Sequence, residues 1–281
     1  MKIFISGAAG ALGQEMAGFL SNQEVEHLTT DIDDLDVTDF RKTHDMLVSY
    51  NPDVILHFAA KSDVDNCEED PETALRVNAL SSLGFGIIAH KINAKLLYTS
   101  TNFVFDGNSK NPYTEHGEPN PINTYGRTKL LGEKYILDTC ARSYIVRTSW
   151  LFGKYSRNFI SRFLNSENKP AALDAVFDRC ASFTYTVDLA KALFQVIQSD
   201  RFGIFHIVNS GEGSFMDFLC RAKEIMKFQT EIRPIKAEDL DLPASRPLYS
   251  PLATHKYEDL TGQSVRDWRD ALVEFCTTLA P

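Results

Sequence analysis

The chain has 281 residues, 43% hydrophobic and 24% charged, enough to bury a sizeable core in one large domain or two modest ones. A formal net charge of −9 excludes the broad basic field that gathers nucleic acid. Met1-Lys2 leads straight into the strand-like Ile3-Phe4-Ile5, and no apolar run approaches the ~18 residues of a membrane span. A location in the cytoplasm, with no membrane partner, is therefore expected.

Taken in chain order, the first half alternates β-rich runs with helical patterns. Strands are predicted at Lys2–Ser6, Val25–Thr30, Asp53–His57, Lys95–Thr99 and Tyr144–Thr148, several of them continuously apolar, as in parallel strands covered on both faces. Between them, helices are predicted near Ala11–Leu20, Phe40–Ser49, Pro71–His90 and Tyr125–Cys140. The alternation predicts an α/β, doubly wound parallel sheet of Rossmann-like type. After Trp150 the rhythm loosens, with helices at Val187–Gln198, Phe215–Met226 and Trp268–Leu279 and a strand at Gly203–Val208. The expected division is a dinucleotide-binding domain over 1–150, joined by 175–208, and a smaller, discontinuous C-terminal substrate lobe over 151–174 and 209–281. Five scattered cysteines with no Cys-x-x-Cys pair, and seven histidines without ligand spacing, predict neither disulfides nor a metal site. His57, inside Val54-Ile55-Leu56-His57-Phe58, reads as a hydrogen-bonded core residue.

Two segments carry chemistry. Gly7-Ala8-Ala9-Gly10-Ala11-Leu12-Gly13 runs from the first strand into the first helix. Its glycines permit a tight turn and close backbone approach, and the helix N-terminus offers free N–H groups to a pyrophosphate. Gly7, Gly10, Ala11, Leu12 and Gly13 are thus candidate dinucleotide contacts. Asp31, eighteen residues after Gly13 and just past the second strand, is placed to bond a ribose 2′-hydroxyl. Arg41 and Lys42 lie not far off, so both NADH and NADPH stay open. In the second segment, Tyr125-Gly126-Arg127-Thr128-Lys129, Tyr125 and Lys129 fall one helical turn apart on one face. A neighbouring ammonium is expected to lower the tyrosine's pKa from its usual value near ~10, making a useful proton donor and acceptor. Thr101, at the end of the strand that begins near Lys95, offers a hydroxyl to a substrate oxygen.

With these segments in place, the chain resembles the extended short-chain dehydrogenases that act on nucleotide sugars, and more narrowly the dTDP-4-dehydrorhamnose reductases. The resemblance covers nearly the whole chain. It is carried by the glycine loop, Asn51-Pro52-Asp53-Val54-Ile55 through Asp65, Ser100-Thr101-Asn102-Phe103-Val104-Phe105-Asp106-Gly107, Asn120 through Leu130, Arg147-Thr148-Ser149-Trp150 and Ala244-Ser245-Arg246-Pro247. It implies reduction of a nucleotide-linked 4-keto-6-deoxy sugar by NADPH or NADH, with Tyr125 as general acid, Lys129 on the nicotinamide ribose and Thr101 on the reacting carbonyl. It further implies cofactor contacts from Asp36 and Val37 near the adenine and from Ala59, Ala60, Lys61 and Asn78 farther along. Val64, Asn102, Phe103, Trp150 and Arg246 would then face the substrate.

Two departures stand out. The family usually has Asp-Tyr where this chain has Asn102-Phe103, and an Asp-Gln…Gly…Pro-Thr run where this chain has Asp178-Arg179-Cys180-Ala181-Ser182-Phe183-Thr184. Asn102-Phe103 supplies no carboxylate after the strand-end threonine, which counts against a 4,6-dehydratase. A 4-epimerase stays open as an alternative, as does a non-catalytic regulatory subunit like the β-subunit of methionine adenosyltransferase. A homodimer is also left open. Mg²⁺ at Glu15 has no ligand cluster in the sequence to support it.

Overall fold

The computed structural model describes residues 1–279. Its first half runs β1 (Lys2–Ser6), α1 (Ala11–Asn22), β2 (Glu26–Thr30), α2 (Phe40–Tyr50), β3 (Val54–His57), α3 (Val64–Glu69), α4 (Pro71–Leu75), α5 (Ser81–Lys91), β4 (Lys95–Thr101), α6 (Thr124–Thr139) and β5 (Ser143–Thr148). The second half runs β6 (Leu151–Phe152), α7 (Phe159–Asn165), β7 (Ala172–Val176), β8 (Cys180–Ala181), β9 (Thr184–Tyr185), α8 (Thr186–Ile197) and β10 (Gly203–His206). It continues through β11 (Gly213–Ser214), α9 (Phe215–Met226), β12 (Glu231–Ile235), β13 (Tyr249–Ser250), α10 (His255–Thr261) and α11 (Trp268–Thr278). No helix among the described residues is long and apolar enough to cross a membrane.

Six strands form one parallel sheet in the order β10-β5-β4-β3-β1-β2. Because strand side chains alternate in direction, Ile3 and Ile5 join Leu12, Met16, Leu189 and Leu193 beneath α1 and α8. Phe4 between them joins Leu47, Phe85, Ile88 and Ile136 beneath α2, α5 and α6. Both faces are covered, which is why these strands read as unbroken apolar runs. The doubly wound parallel sheet matches the fold expected from the alternation. The chain leaves β1 towards β2 on one side and reaches β3 on the other, so a crevice opens at the carboxyl ends of β1 and β3. His57, in β3, is fully buried, bonded to the hydroxyls of Ser6 (2.7 Å) and Ser81 (3.2 Å), and held neutral by burial that lowers its pKa to about 3.

The second core belongs to the C-terminal half and is strongly aromatic. Phe152, Phe163, Phe183, Phe218, Trp268 and Phe275 pack together there. Residues 175–185, grouped by the sequence reading with the first domain, make their strand pairs elsewhere: β7 with β12, β8 with β11 and β13, and β9 with β6. The return to the main sheet comes with α8 and β10. A periodic pattern identifies a strand but says nothing of which sheet receives it.

The helix predicted over Pro71–His90 has a π-turn at Arg76–Leu80, where the Ser81 N–H reaches back to the Arg76 carbonyl. The extra residue brings Asn78 to the buried side. There its amide accepts from the Lys61 N–H (2.9 Å) and donates to the Lys61 carbonyl (3.0 Å) and the Thr128 hydroxyl (3.1 Å).

Candidate active site

The crevice holds a cavity of about 880 Å³. Its floor is the glycine loop. Gly7 sits at φ +73°, and a Cβ there would lie 2.6 Å from the Ala59 nitrogen; a Cβ on Gly13 would lie 2.6 Å from the Ala8 Cα. Only glycine fits either position. Gly10 is the N-cap of α1 and no side chain caps it, so the helix end presents its first N–H groups to the cavity. Gly7, Gly10, Ala11, Leu12, Gly13, Asp31, Asp36, Val37, Ala59, Ala60, Lys61, Tyr125 and Lys129 all line this space.

Asp31 lines the cavity with its carboxylate already engaged: Oδ2 accepts the Ala9 N–H at 2.7 Å and Oδ1 the Ile32 N–H at 2.8 Å. It braces the glycine loop from the end of β2. Asp36 accepts both the N–H and the hydroxyl of Thr38, which holds its pKa below the usual carboxylate value. Lys61 pairs with Asp70 at 3.0 Å. Asn78, expected against the cofactor, is fully buried and is absent from the cavity lining; its amide fixes the Lys61 backbone and ties it to α6. No sequence pattern announced the π-turn that puts it there.

Asn123 caps α6 through the Gly126 N–H at 2.8 Å, which fixes where Tyr125 and Lys129 emerge. Thr101 ends β4, and its hydroxyl accepts the Phe103 N–H at 3.1 Å. Burial pushes the Tyr125 phenol up to about 12, and the nearby Thr101 hydroxyl works in the opposite direction. Lys129, 1% exposed, is lowered by burial to about 7, against the pull of Glu133. Its ammonium stands 3.9 Å above the Tyr98 ring. The expected lowering of the Tyr125 pKa by Lys129 is therefore not what the geometry produces. Desolvation dominates both groups.

Beneath Lys129 lies a charged pair that the motif reading did not single out. Glu133, one turn farther along α6, receives Arg147 from β5 through Nε (2.9 Å) and Nη2 (2.7 Å), and also the Ser100 hydroxyl. Glu133 and Arg147 are each 1% exposed. The pair bolts α6 to the carboxyl ends of β4 and β5, the strands that frame Thr101.

The residues expected on the substrate side do not line the cavity. Asn102 is 2% exposed and donates to the Ser250 hydroxyl at 2.8 Å. Phe103 packs edge-on against Tyr125 with ring centres 6.0 Å apart. Trp150 lies against Phe183 and carries φ +30°, a strained backbone value for a bulky residue. Val64 opens α3, and Arg246 is held by Asp65 beside it. In place of these, the cavity wall facing the glycine loop comes from Leu151, Tyr155, Ser156, Arg157 and Asn158. This β6–α7 connection has no periodic signature. Its signals are the glycine at 153, here at φ +156°, and the helix-capping Asn158.

Comparison with known proteins agrees with this geometry. The family model described as the RmlD substrate binding domain matches residues 1–280. A solved dTDP-4-dehydrorhamnose reductase from Clostridium acetobutylicum is 35% identical and superposes with a TM-score of 0.95 over 99% of both chains. This chain belongs to the dTDP-4-dehydrorhamnose reductase family. Another family structure, from Bacillus anthracis and in complex with NADP, is 29% identical, with a TM-score of 0.94 over 99% of both chains. The spore coat polysaccharide biosynthesis protein SpsK of Bacillus subtilis is 32% identical over 98% of this chain and 96% of its own.

Proposed function

We propose that the protein is an NAD(P)H-dependent oxidoreductase that reduces a nucleotide-linked 4-keto-6-deoxy sugar, with dTDP-4-dehydro-L-rhamnose as substrate and dTDP-L-rhamnose as product. The observation that carries this reading is a half-buried phenol, Tyr125, that lines the dinucleotide crevice beside the strand-end Thr101 hydroxyl. The NADP-bound relative supports the cofactor class, and the relatives' names support the sugar nucleotide.

The residues divide the work by their chemistry. The glycine loop and the open end of α1 take the cofactor's pyrophosphate, and the cofactor supplies a hydride. Tyr125 gives its proton to the carbonyl oxygen as charge develops there; a phenol pushed up to about 12 is fully protonated at neutral pH and fits a donor. The Thr101 hydroxyl orients the same oxygen. Lys129 holds the nicotinamide ribose and, once an anionic group lies near, regains the charge that burial has suppressed. Asn102-Phe103 offers no carboxylate for elimination, which favours reduction over dehydration.

The test is loss of reduced-nicotinamide absorbance when dTDP-4-keto-6-deoxy sugar is added to protein and NADPH or NADH. Turnover is expected. Tight cofactor binding without turnover on any nucleotide-linked keto sugar would favour the regulatory-subunit alternative.

A further inference from the structure

Lys129 lines the crevice, yet among the described residues its amine makes no hydrogen bond and has no carboxylate within 4.0 Å. Glu133, one turn along α6, is spent on Arg147 at 2.9 and 2.7 Å and on the Ser100 hydroxyl. The ammonium meets an aromatic face instead: Nζ stands 3.9 Å from the centre of the Tyr98 ring, on β4. Tyr98 is fully buried and Lys129 is 1% exposed, so bulk water does not screen the contact. A cation gains most from the negative face of a ring when both have shed their water.

The ring is itself held in place. The Asn78 carbonyl, inside the π-turn, accepts the Tyr98 hydroxyl at 2.8 Å and the Ser82 hydroxyl at 2.9 Å. The His57 ring lies 5.6 Å away, tilted by 30°. Gly132 lets α6 close onto this node, because a Cβ there would lie 2.5 Å from the Asn78 carbonyl oxygen and 2.6 Å from the Tyr98 hydroxyl. Strand, π-turn and helix thus converge on the orientation of one ring. The titratable groups near Lys129 are Tyr125 and Glu133 on its own helix, Cys67 on α3 and the neutral His57 on β3, with Arg147 of β5 paired to Glu133. Glu133 and Cys67 favour its charge, and burial opposes it.

We propose that Tyr98 is a positioning residue for Lys129: its ring face holds the ammonium, through a cation–π contact, at the crevice where the nicotinamide ribose is to bind. The assignment deepens the reductase reading above, in which Lys129 serves the cofactor. Tyr98 itself does not line the cavity and acts only through the lysine.

The test needs no substrate. Titration of the Lys129 amine is followed by NMR in protein carrying carbon-13 lysine, with Lys129→Met identifying its signal. Tyr98→Phe keeps the ring and should titrate close to wild type. Trifluorinated and then pentafluorinated phenylalanine at the same position nearly keep the shape while draining the negative face. The midpoint should fall in that order, by about one pH unit at the pentafluorinated ring, a tenfold change in proton affinity. NADPH affinity at neutral pH should fall alongside by about 3- to 10-fold. A midpoint unmoved by fluorination overturns the proposal. So does a falling midpoint with unchanged NADPH affinity, because the contact would then serve the fold alone. Both expected shifts without turnover of any keto sugar would remove the reductase reading and leave Tyr98 in its role; turnover with an unmoved midpoint does the reverse.

Discussion

The two sides of the active site are built by different means. The cofactor side is local: one loop between β1 and α1, one aspartate at the end of β2 and the turn after β3 converge because adjacent parallel strands end together. Its geometry is set by backbone, with Gly7 and Gly13 so close to neighbouring main chain that any side chain collides. The region around Thr101 and α3, where the substrate is expected, is assembled from segments far apart in sequence, held by side-chain contacts such as Asn102 to Ser250 and Asp65 to Arg246. The first is therefore robust to surface change and intolerant of a single added methyl.

Four variants would break or sharpen that contrast. Tyr125→Phe, at the junction of the two sides, should lower turnover by about 10²–10⁴ while sparing NADPH affinity; an unchanged rate removes Tyr125 from the mechanism. Glu133→Ala leaves Arg147 charged and buried without its partner. Loss of one member of such a pair costs about 3–5 kcal/mol, so the denaturant midpoint should fall steeply; a midpoint near wild type would mean the pair does not secure the junction. Asp31→Ala touches only the cofactor side. It should weaken NADH more than NADPH, measured by fluorescence titration, whereas equal losses would leave Asp31 as a brace for the Ala9 N–H alone. The smallest effect is in pH dependence. Burial lowers Lys129 to about 7 in the folded chain against 10.5 for a free lysine, so the unfolded chain binds more protons between those values and stability should rise with pH across that window. Lys129→Met should flatten that rise in denaturation curves at pH 7 and pH 9; an identical slope would show that the amine is not desolvated.

Much of the cofactor side was legible before any coordinates. Glycine spacing between a strand and a helix, and Tyr125 and Lys129 one turn apart, are short-range statements, and short-range geometry follows directly from helix and strand periodicity. Asn78 shows the limit. Its support of the Lys61 backbone comes from a π-turn that no local pattern announces, because one extra residue in a helical turn rotates everything after it. The wall formed by residues 151–158 was missed since a loop has no period to read. The expected proton chemistry of Tyr125 also needed correction: spacing gave its neighbour, while burial set the protonation state of both.

The sequence by itself determined that strands and helices alternate, that a glycine loop opens the first helix, and that a phenol and an amine share a face of α6, since each depends only on residues within a few turns of one another. Tertiary structure alone decided that residues 175–185 pair outside the main sheet and that Glu133 and Arg147 lock β4, β5 and α6 together. Those outcomes depend on which distant segments meet and on how much water they exclude, and no local pattern encodes either.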